Sequence, residues 1–194
     1  MSMREQWMGI TAGVLLLTGN PALQVGFEVV GERLQMAELR KNDPAIAFRP
    51  RIVSTLLATN PNLGPLTSNR IADAVLRCGR EKGVAPDLML AVMLVESSAR
   101  PAVRSPKGAI GLMQIMPHMF EELSLPGNVA HIEANIEAGC LLLADNIRRL
   151  GEEDGISAYF WGRRIRDEGY MRRVRTVRRD LGQSPPAQAM RRRG

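Results

Sequence analysis

Apolar residues recur at helical spacing along most of this chain, and the pattern predicts a protein built of helices. From Leu66 they repeat every three or four positions to Lys82, where Gly83 is placed to end the helix. Residues 67–69 are polar and are expected to cap its start. This helix therefore has both a predicted beginning and a predicted end.

The next predicted helix begins at Pro86 and is apolar on every side. Residues 88–95 are eight consecutive apolar positions, so this helix is expected to lie buried at the centre of the fold. It ends at residues 96–98, and a loop rich in Pro, Ser and Gly then runs to Gly108.

Further helical patterns lie on both sides of this central pair. The longest, at residues 132–150, places one apolar face on Ile136, Cys140, Leu143, Ile147 and Leu150. Shorter patterns cover residues 32–41, 51–59, 117–123, 156–163 and 167–181. The two N-terminal patterns are too short to be stable alone in water, so they are expected to pack on other parts of the protein.

Together these elements predict an all-α fold with a compact helical domain at residues 65–182. An N-terminal extension precedes it, made of an apolar segment at residues 1–30 and a helical lead-in at residues 31–64. A basic tail at residues 183–194 is expected to be disordered. Aromatic residues make up only 4% of the chain, so the core must use aliphatic side chains and Met, which suit packed helices.

The N-terminal segment carries no charge from residue 6 to residue 27. As a signal peptide it is poor, because Arg4 is offset by Glu5 and no A-x-A cleavage site follows. As a membrane span it is interrupted by Asn20, Pro21 and Gln24. We interpret it as a signal or membrane-associated segment, with residues 8–27 as a candidate membrane contact.

The net charge of +6 is concentrated towards the C-terminus, where residues 163–194 hold eleven arginines against three acidic residues. A basic end attracts polyanions such as nucleic acid, anionic lipid or a carboxylate- and phosphate-rich cell wall. A solvated surface followed by a free tail explains the same pattern equally well.

Cys78 and Cys140 are the only cysteines, and they either form a disulfide or remain as two thiols. Their immediate neighbours are apolar, which favours two buried thiols. His118 and His131 are isolated, and no spacing of ligand residues indicates a metal site.

Glu96 directly follows the apolar run, so its carboxyl is expected at the edge of the core and near a helix C-terminus. A low dielectric and the negative end of the helix dipole both raise the pKa of a carboxyl. A carboxyl that stays protonated near neutral pH is what general-acid chemistry on a glycosidic oxygen requires. On position alone, an ion pair with Arg100 or Arg104 is the commoner explanation.

The residues after Glu96 change that balance. Residues 96–117 read E-S-S-A-R-P-A-V-R-S-P-K-G-A-I-G-L-M-Q-I-M-P. This segment resembles the catalytic segment of the soluble lytic transglycosylase family, which is related to goose-type lysozyme. The positions at the family spacing are Glu96, Ser97, Pro101, Ser105, Gly108, Ala109, Gly111, Leu112, Met113, Gln114 and Pro117.

Three later blocks extend the resemblance over roughly residues 66–181. Residues 135–139 resemble the family's Asn-Ile-x-x-Gly block, and Tyr159 lies in an Ala-Tyr block followed by Gly162. Tyr170 and Val174 resemble a Tyr-x-x-x-Val pair near the end of the family domain.

The resemblance implies a lysozyme-like helical domain in which Glu96 is the catalytic acid and base. It also implies that the hydroxyl of Tyr159 faces that carboxyl and that Ser105 lies beside the substrate groove. The groove around the scissile bond would be lined by Gly111, Leu112, Met113 and Gln114. The chain departs from the family at Phe160, where the family has Asn, and at Ala99, where it has an aromatic residue.

The implied reaction is cleavage of the bond between N-acetylmuramic acid and N-acetylglucosamine, with a 1,6-anhydro product. It needs one carboxyl and no metal or organic cofactor. No second carboxylate is compelling, since Glu121, Glu122 and Glu137 all occupy positions typical of a helix surface. Two alternatives stay open: hydrolysis of the same bond by water, as in lysozyme, and a cell-wall-binding structural component of a phage virion or secretion apparatus.

The resemblance implies a place of action in the cell envelope or periplasm, for an exported or membrane-tethered protein. A phage virion component delivered to the periplasm is the alternative. The expected partners are peptidoglycan glycan strands, a membrane through residues 8–27, an anionic polymer through the Arg-rich C-terminus, and assembly proteins.

Overall fold

The computed structural model describes residues 47–183, and this part of the chain is all-α, as predicted. Its helices are α1 (Arg49–Thr59), α2 (Gly64–Lys82), α3 (Pro86–Ser97), α4 (Pro117–Glu122), α5 (Ile132–Leu150), α6 (Glu152–Trp161) and α7 (Gly169–Gln183). A 3-10 turn, Pro61–Leu63, joins α1 to α2. The predicted elements at residues 1–41 and the tail at residues 184–194 lie outside the described residues.

Helix α2 begins earlier than the predicted cap. Ser68 Oγ donates to the carbonyl oxygen of Gly64 at 2.9 Å, and Asn69 Nδ2 donates to that of Pro65 at 2.8 Å. Both side chains therefore bond within the helix instead of capping it. The helix begins at Gly64-Pro65, and Pro65 has no backbone N–H that would require a capping partner. The end at Gly83 is as predicted, with a left-handed φ of +71°.

Helix α3 is the centre of the fold, as its uniform apolarity predicted. Each side chain from Leu88 to Met93 is at most 1% exposed. Helix α7 packs along α3, and α2 contacts it from another side. Burial of this stretch removes a large apolar surface from water, which is the main source of stability available to the domain.

Helix α1 packs on α2 as part of the same compact unit. The Arg49 guanidinium bridges Asp73 at 2.8 Å and the side-chain oxygen of Asn69 at 2.7 Å. Arg51 donates to the carbonyl oxygen of Leu181 at 2.8 Å, which ties the first helix to the last. Residues 49–59 are thus packed on the helices that follow, as their short length predicted.

A disulfide joins Cys78 of α2 to Cys140 of α5, with their Cα atoms 5.9 Å apart. The sequence interpretation of two free thiols is wrong. The apolar neighbours of a cysteine in the sequence indicate only that it is buried, and both cysteines are buried. Burial is common to thiols and disulfides alike, and only the packing of α2 on α5 decides whether the two sulfurs meet.

None of the helices within residues 47–183 is both long and apolar enough to cross a membrane. The candidate membrane contact at residues 8–27 falls outside the described part of the chain.

The disulfide closes a loop between positions 62 residues apart. We expect the double variant Cys78→Ala/Cys140→Ala to lose about 2–4 kcal/mol of unfolding free energy, chiefly because its unfolded chain is less constrained. Urea denaturation of the oxidised protein and of the variant measures this difference. Wild type treated with a reductant should fall close to the variant, and equal stability of oxidised wild type and variant would contradict the prediction.

Candidate active site

Glu96 lies in the last turn of α3 and is held there by a residue from α7. The hydroxyl of Tyr170 donates a hydrogen bond to Glu96 Oε1 at 2.6 Å. Immediately after Glu96 the helix stops, since Ser98 and Ala99 both have left-handed φ values of +50° and +57°. The carboxyl is therefore the first ionisable group after the buried stretch of α3, and its position is fixed from two helices.

Burial raises the pKa of the Glu96 carboxyl above its usual value. The hydrogen bond from Tyr170 and the positive charge of Arg173 act against this and lower it in part. Among the described residues, Glu96 forms no ion pair with Arg100 or Arg104. Arg100 Nε donates to the carbonyl oxygen of Ser97 at 2.9 Å, and no ion pair to Glu96 occurs within residues 47–183.

The tyrosine that bonds Glu96 is Tyr170, a contact that the resemblance did not assign to it, and the hydroxyl of Tyr159 has a different partner. The hydroxyl of Tyr159 donates to the carbonyl oxygen of Met113 at 2.8 Å. Burial, and then the charge of Glu96, raise the pKa of both phenols well above the usual value. Both tyrosines therefore stay protonated, and Tyr159 lies near the carboxyl while anchoring the loop opposite it.

That loop, residues 103–115, is shaped by backbone pairing and by one glycine. The N–H groups of Ile110 and Ile115 each donate to the other residue's carbonyl oxygen, at 2.9 and 3.0 Å. Gly111 has a φ of +80°, and a Cβ on it would lie 2.6 Å from Asn135 Nδ2. Only glycine satisfies both the left-handed backbone and the close approach of Asn135.

Asn135 of α5 holds the loop in place, a role that the sequence reading did not assign to it. It is 1% exposed, and its Oδ1 accepts the N–H of Met113 at 2.8 Å. Its Nδ2 donates to the carbonyl oxygens of Ile110 and Val129 at 2.9 and 2.8 Å. The one available signal was that Asn135 begins a block resembling the family.

Leu112 and Met113 do not line a groove with their side chains. They are 1% and 0% exposed, and a Cβ on Gly139 would lie 2.7 Å from the Met113 side chain. Their side chains anchor the loop in the core, because Gly139 leaves room for Met113 against α5. The carbonyl oxygen of Met113 accepts the hydrogen bond from the Tyr159 hydroxyl.

Ser105 and Gln114 are half-buried, and both have bonds within the loop. The Ala109 N–H donates to Ser105 Oγ at 3.0 Å. Gln114 Nε2 donates to the carbonyl oxygens of Gly111 and Val103 at 3.0 and 3.4 Å. These contacts leave the Gln114 side-chain oxygen and the Ser105 hydroxyl hydrogen as groups able to meet a ligand.

The two departures from the family pattern have different surroundings. Phe160 is 48% exposed, and its ring stacks on Tyr170 with centroids 4.8 Å apart and planes 15° apart. Ala99 is fully buried, and its carbonyl oxygen accepts a hydrogen bond from Asn60 at 2.9 Å. Ala99 therefore lies inside the fold, whereas Phe160 adds an aromatic ring beside the Glu96–Tyr170 pair.

Two open grooves border this region. One, of about 480 Å³, is lined by Val95, Gly169, Arg172, Arg173, Thr176 and Val177. The other, of about 540 Å³, is lined by Asn60, Asn62, Leu63, Thr67 and residues 100–103. The first includes Val95, which precedes Glu96 in the chain, and Arg173, whose charge lowers the pKa of Glu96. Within residues 47–183, no three His, Cys, Asp or Glu side chains are grouped so as to hold a metal ion.

Comparison with known proteins identifies a family and several relatives. The family model for the transglycosylase SLT domain matches residues 73–172. The transglycosylase of Enterobacteria phage PRD1 is 37% identical over 78 residues, which cover 40% of this chain and 29% of the phage protein. The match therefore spans less than a third of that relative.

A solved structure of a larger protein shares the helical fold. An inactive mutant of the lytic transglycosylase Slt from Pseudomonas aeruginosa superposes with a TM-score of 0.50 at 18% identity, over 80% of this chain and 33% of that chain. The 70 kDa soluble lytic transglycosylase SLT70 from Escherichia coli gives a TM-score of 0.44 at 24% identity, over 86% and 31% of the two chains.

The family match covers more than half of the chain. It includes Glu96, the loop at residues 103–115, Asn135 and both tyrosines. This chain belongs to the transglycosylase SLT domain family.

Proposed function

We propose that this protein is a peptidoglycan lytic transglycosylase in which Glu96 is the single general acid and base. The observation that carries the proposal is the environment of that carboxyl at the end of α3. Burial raises its pKa, and the Tyr170 hydroxyl holds Oε1 at 2.6 Å. A carboxyl with a raised pKa keeps its proton to higher pH than an exposed one and can release it to a nearby acceptor.

In the first step the protonated Glu96 donates to the oxygen that bridges N-acetylmuramic acid and N-acetylglucosamine. Because Tyr170 donates to Oε1, the transferable proton belongs on Oε2. As the bond between this oxygen and C1 of the muramic acid breaks, the oxygen takes the proton and positive charge develops at C1. Glu96 is left as a carboxylate, which Tyr170 and Arg173 stabilise.

In the second step the same carboxylate acts as the base. It takes the proton of the C6 hydroxyl of the muramic acid, and the freed oxygen attacks C1. The product is a 1,6-anhydro ring, no water is consumed, and Glu96 returns to its protonated form. One group serves twice because its protonation state changes between the two steps.

The use of one carboxyl distinguishes this proposal from the usual pair in glycoside hydrolysis. The alternative partners Glu121, Glu122 and Glu137 are all exposed on helix surfaces. The C6 hydroxyl of the substrate takes the place of a second carboxylate or an activated water. Hydrolysis by water, as in lysozyme, is the competing outcome, and the mass of the product separates the two.

The groove between Val95 and α7 is proposed as a contact for anionic parts of the substrate. Arg172, Arg173 and Thr176 line it, and peptidoglycan stem peptides carry carboxylates. This narrows the predicted anionic-polymer contact from the whole Arg-rich C-terminus to one face of α7. Ser105 and Gln114 are proposed to contact the sugar from the opposite loop.

The proposed place of action is the peptidoglycan of the cell envelope. The phage PRD1 relative supports delivery with a virion as the alternative to an exported or tethered enzyme. Membrane contact through residues 8–27 and binding of assembly proteins stay proposals without support from the described residues.

We expect Glu96→Gln to lower the rate of muropeptide release from purified cell wall about 10²–10⁴-fold, the usual contribution of a general acid. Chromatography with mass spectrometry measures the rate and tests whether each product is one water lighter than a hydrolysis product. Glu137→Gln, an exposed glutamate on α5, is the matched control and should retain activity. Equal rates for Glu96→Gln and wild type, or no release by either, would refute the proposal.

The same substitution should stabilise the fold at neutral pH. The pKa of Glu96 in the folded state is raised, so ionising this carboxyl costs more free energy in the folded state than in the unfolded state. The resulting loss of unfolding free energy is absent at a pH below the unfolded pKa. It grows as the pH rises and is complete once the pH exceeds the folded pKa. Thermal melting should therefore show Glu96→Gln more stable than wild type at pH 7, with the gain disappearing at pH 3. A constant gain at both pH values would contradict the assigned cause.

Arg172→Ala should raise KM for peptide-bearing glycan about two- to fivefold at low salt, because it removes one exposed charge contact. The effect should shrink at high salt, where exposed charges are screened. Arg148→Ala on α5 is a suitable control, since both arginines are exposed and each pairs with an acid three or four residues before it in the chain. Equal effects of the two changes would point to net charge instead of a groove contact.

A further inference from the structure

Phe160 is an exposed aromatic ring placed directly against the proposed catalytic apparatus. It is 48% exposed, whereas Tyr170 beneath it is 2% exposed. Exposure of so large an apolar ring has a cost that a polar residue would avoid. The soluble lytic transglycosylase pattern has Asn at this position, so the chain carries an apolar ring where the family carries an amide.

The contacts of Tyr170 explain what that ring can do. Phe160 stacks nearly parallel on it at 4.8 Å and 15°, and the Arg173 guanidinium lies 5.8 Å from the ring centroid of Tyr170. The Tyr170 hydroxyl reaches Glu96 Oε1 at 2.6 Å. The phenol is thus held by its ring, and the hydrogen bond to Glu96 depends on where that ring lies.

Phe160 itself is held in place by a second aromatic contact. The Trp161 ring meets it edge-on with centroids 4.9 Å apart, and the Trp161 Nε1 donates to the carbonyl oxygen of Asp167 at 3.2 Å. Aromatic pairs of this geometry are favourable beyond the area they bury. A chain of ring contacts therefore runs from the connection between α6 and α7 to Glu96.

We propose that Phe160 is a positioning residue which, by stacking on Tyr170, fixes the phenol against Glu96 and keeps water away from their hydrogen bond. The proposal rests on the proposed function insofar as it concerns activity. Phe160 acts through Tyr170 and need not touch the substrate. The ring takes the exposed position so that Tyr170 and the carboxyl stay covered.

Among residues 47–183, the titratable or charged groups that act on Glu96 or feel its charge are Tyr170 and Arg173 from α7 and Tyr159 from α6. All three remain in the chain when Phe160 is replaced. A smaller or polar side chain at position 160 would admit water to Tyr170 and to the carboxyl. Burial is the largest influence on the pKa of Glu96 and raises it, whereas the Tyr170 hydrogen bond is a smaller influence that lowers it. Hydration would therefore outweigh a loosened hydrogen bond, and the pKa of Glu96 would fall.

The direct test is the titration of Glu96 by ¹³C NMR of labelled glutamate carboxyls, with Glu96→Gln to assign the signal. Phe160→Ala and Phe160→Asn should lower the Glu96 pKa, whereas Phe160→Trp should preserve it because it restores a ring. Leu150→Ala is the matched control, since Leu150 is an apolar side chain exposed to a similar degree, 43%. No change in Phe160→Ala, or an equal change in Leu150→Ala, would overturn the proposal.

Activity supplies a second readout. In Phe160→Ala the alkaline limb of the pH profile of kcat/KM should move to lower pH, with a loss of about 3- to 10-fold above the optimum, the size of one aromatic contact. In a Tyr170→Phe background, which removes the hydroxyl and keeps the ring, the same change should shift that limb less than it does in the presence of Tyr170. Fully additive effects would show that Phe160 acts independently of Tyr170 and would overturn the inference.

The two readouts separate this inference from the proposed function. If wild type releases no muropeptides but Phe160→Ala lowers the Glu96 pKa, the enzyme proposal fails and the positioning role stands. If wild type is active and the Glu96 pKa is the same in Phe160→Ala, the positioning role fails and the enzyme proposal stands.

Discussion

The burial of α3 on every side is the constraint on which the rest of this structure depends. Its residues from Leu88 to Met93 have almost no contact with solvent, so the helix can expose polar groups only at its ends. Glu96 is the first ionisable side chain after that stretch. Its raised pKa follows from the same burial that stabilises the fold. Stability and the proposed acid chemistry of Glu96 therefore arise from one packing arrangement.

Polar contacts between segments that are distant in the chain then position the loop at residues 103–115. Asn135 satisfies three backbone groups of the neighbouring loops with one buried amide, and Gly111 allows it to approach. Tyr159 holds the same loop by the carbonyl oxygen of Met113. Each of these bonds is buried or half-buried, where loss of one partner is costly. The loop is thus a rigid wall of the site and owes its shape to α5 and α6.

Aromatic rings and arginines of α6 and α7 connect Glu96 with the groove beside Val95. The Tyr170 ring contacts both the Phe160 ring and the Arg173 guanidinium, and Arg173 also lines the groove beside Val95. Arg173 therefore has a part in the charge balance of Glu96 and in the electrostatics of the groove. Elsewhere on α7, Arg178 pairs with Asp87 at 2.9 Å and Glu152 at 2.9 Å. Part of the basic surface is thus structural.

The sequence by itself determined the helices and the position of Glu96, because apolar periodicity and the run at residues 88–95 are local properties of the chain. It also determined the loop motif, since Gly111 and Gln114 stand at a fixed spacing from Glu96. Only the tertiary structure decided that Cys78 bonds Cys140, that the Tyr170 hydroxyl bonds the Glu96 carboxyl, and that the Tyr159 hydroxyl bonds the carbonyl oxygen of Met113. It likewise decided that Leu112 and Met113 face the core. These outcomes depend on how helices far apart in the chain pack together, and no local pattern contains that information.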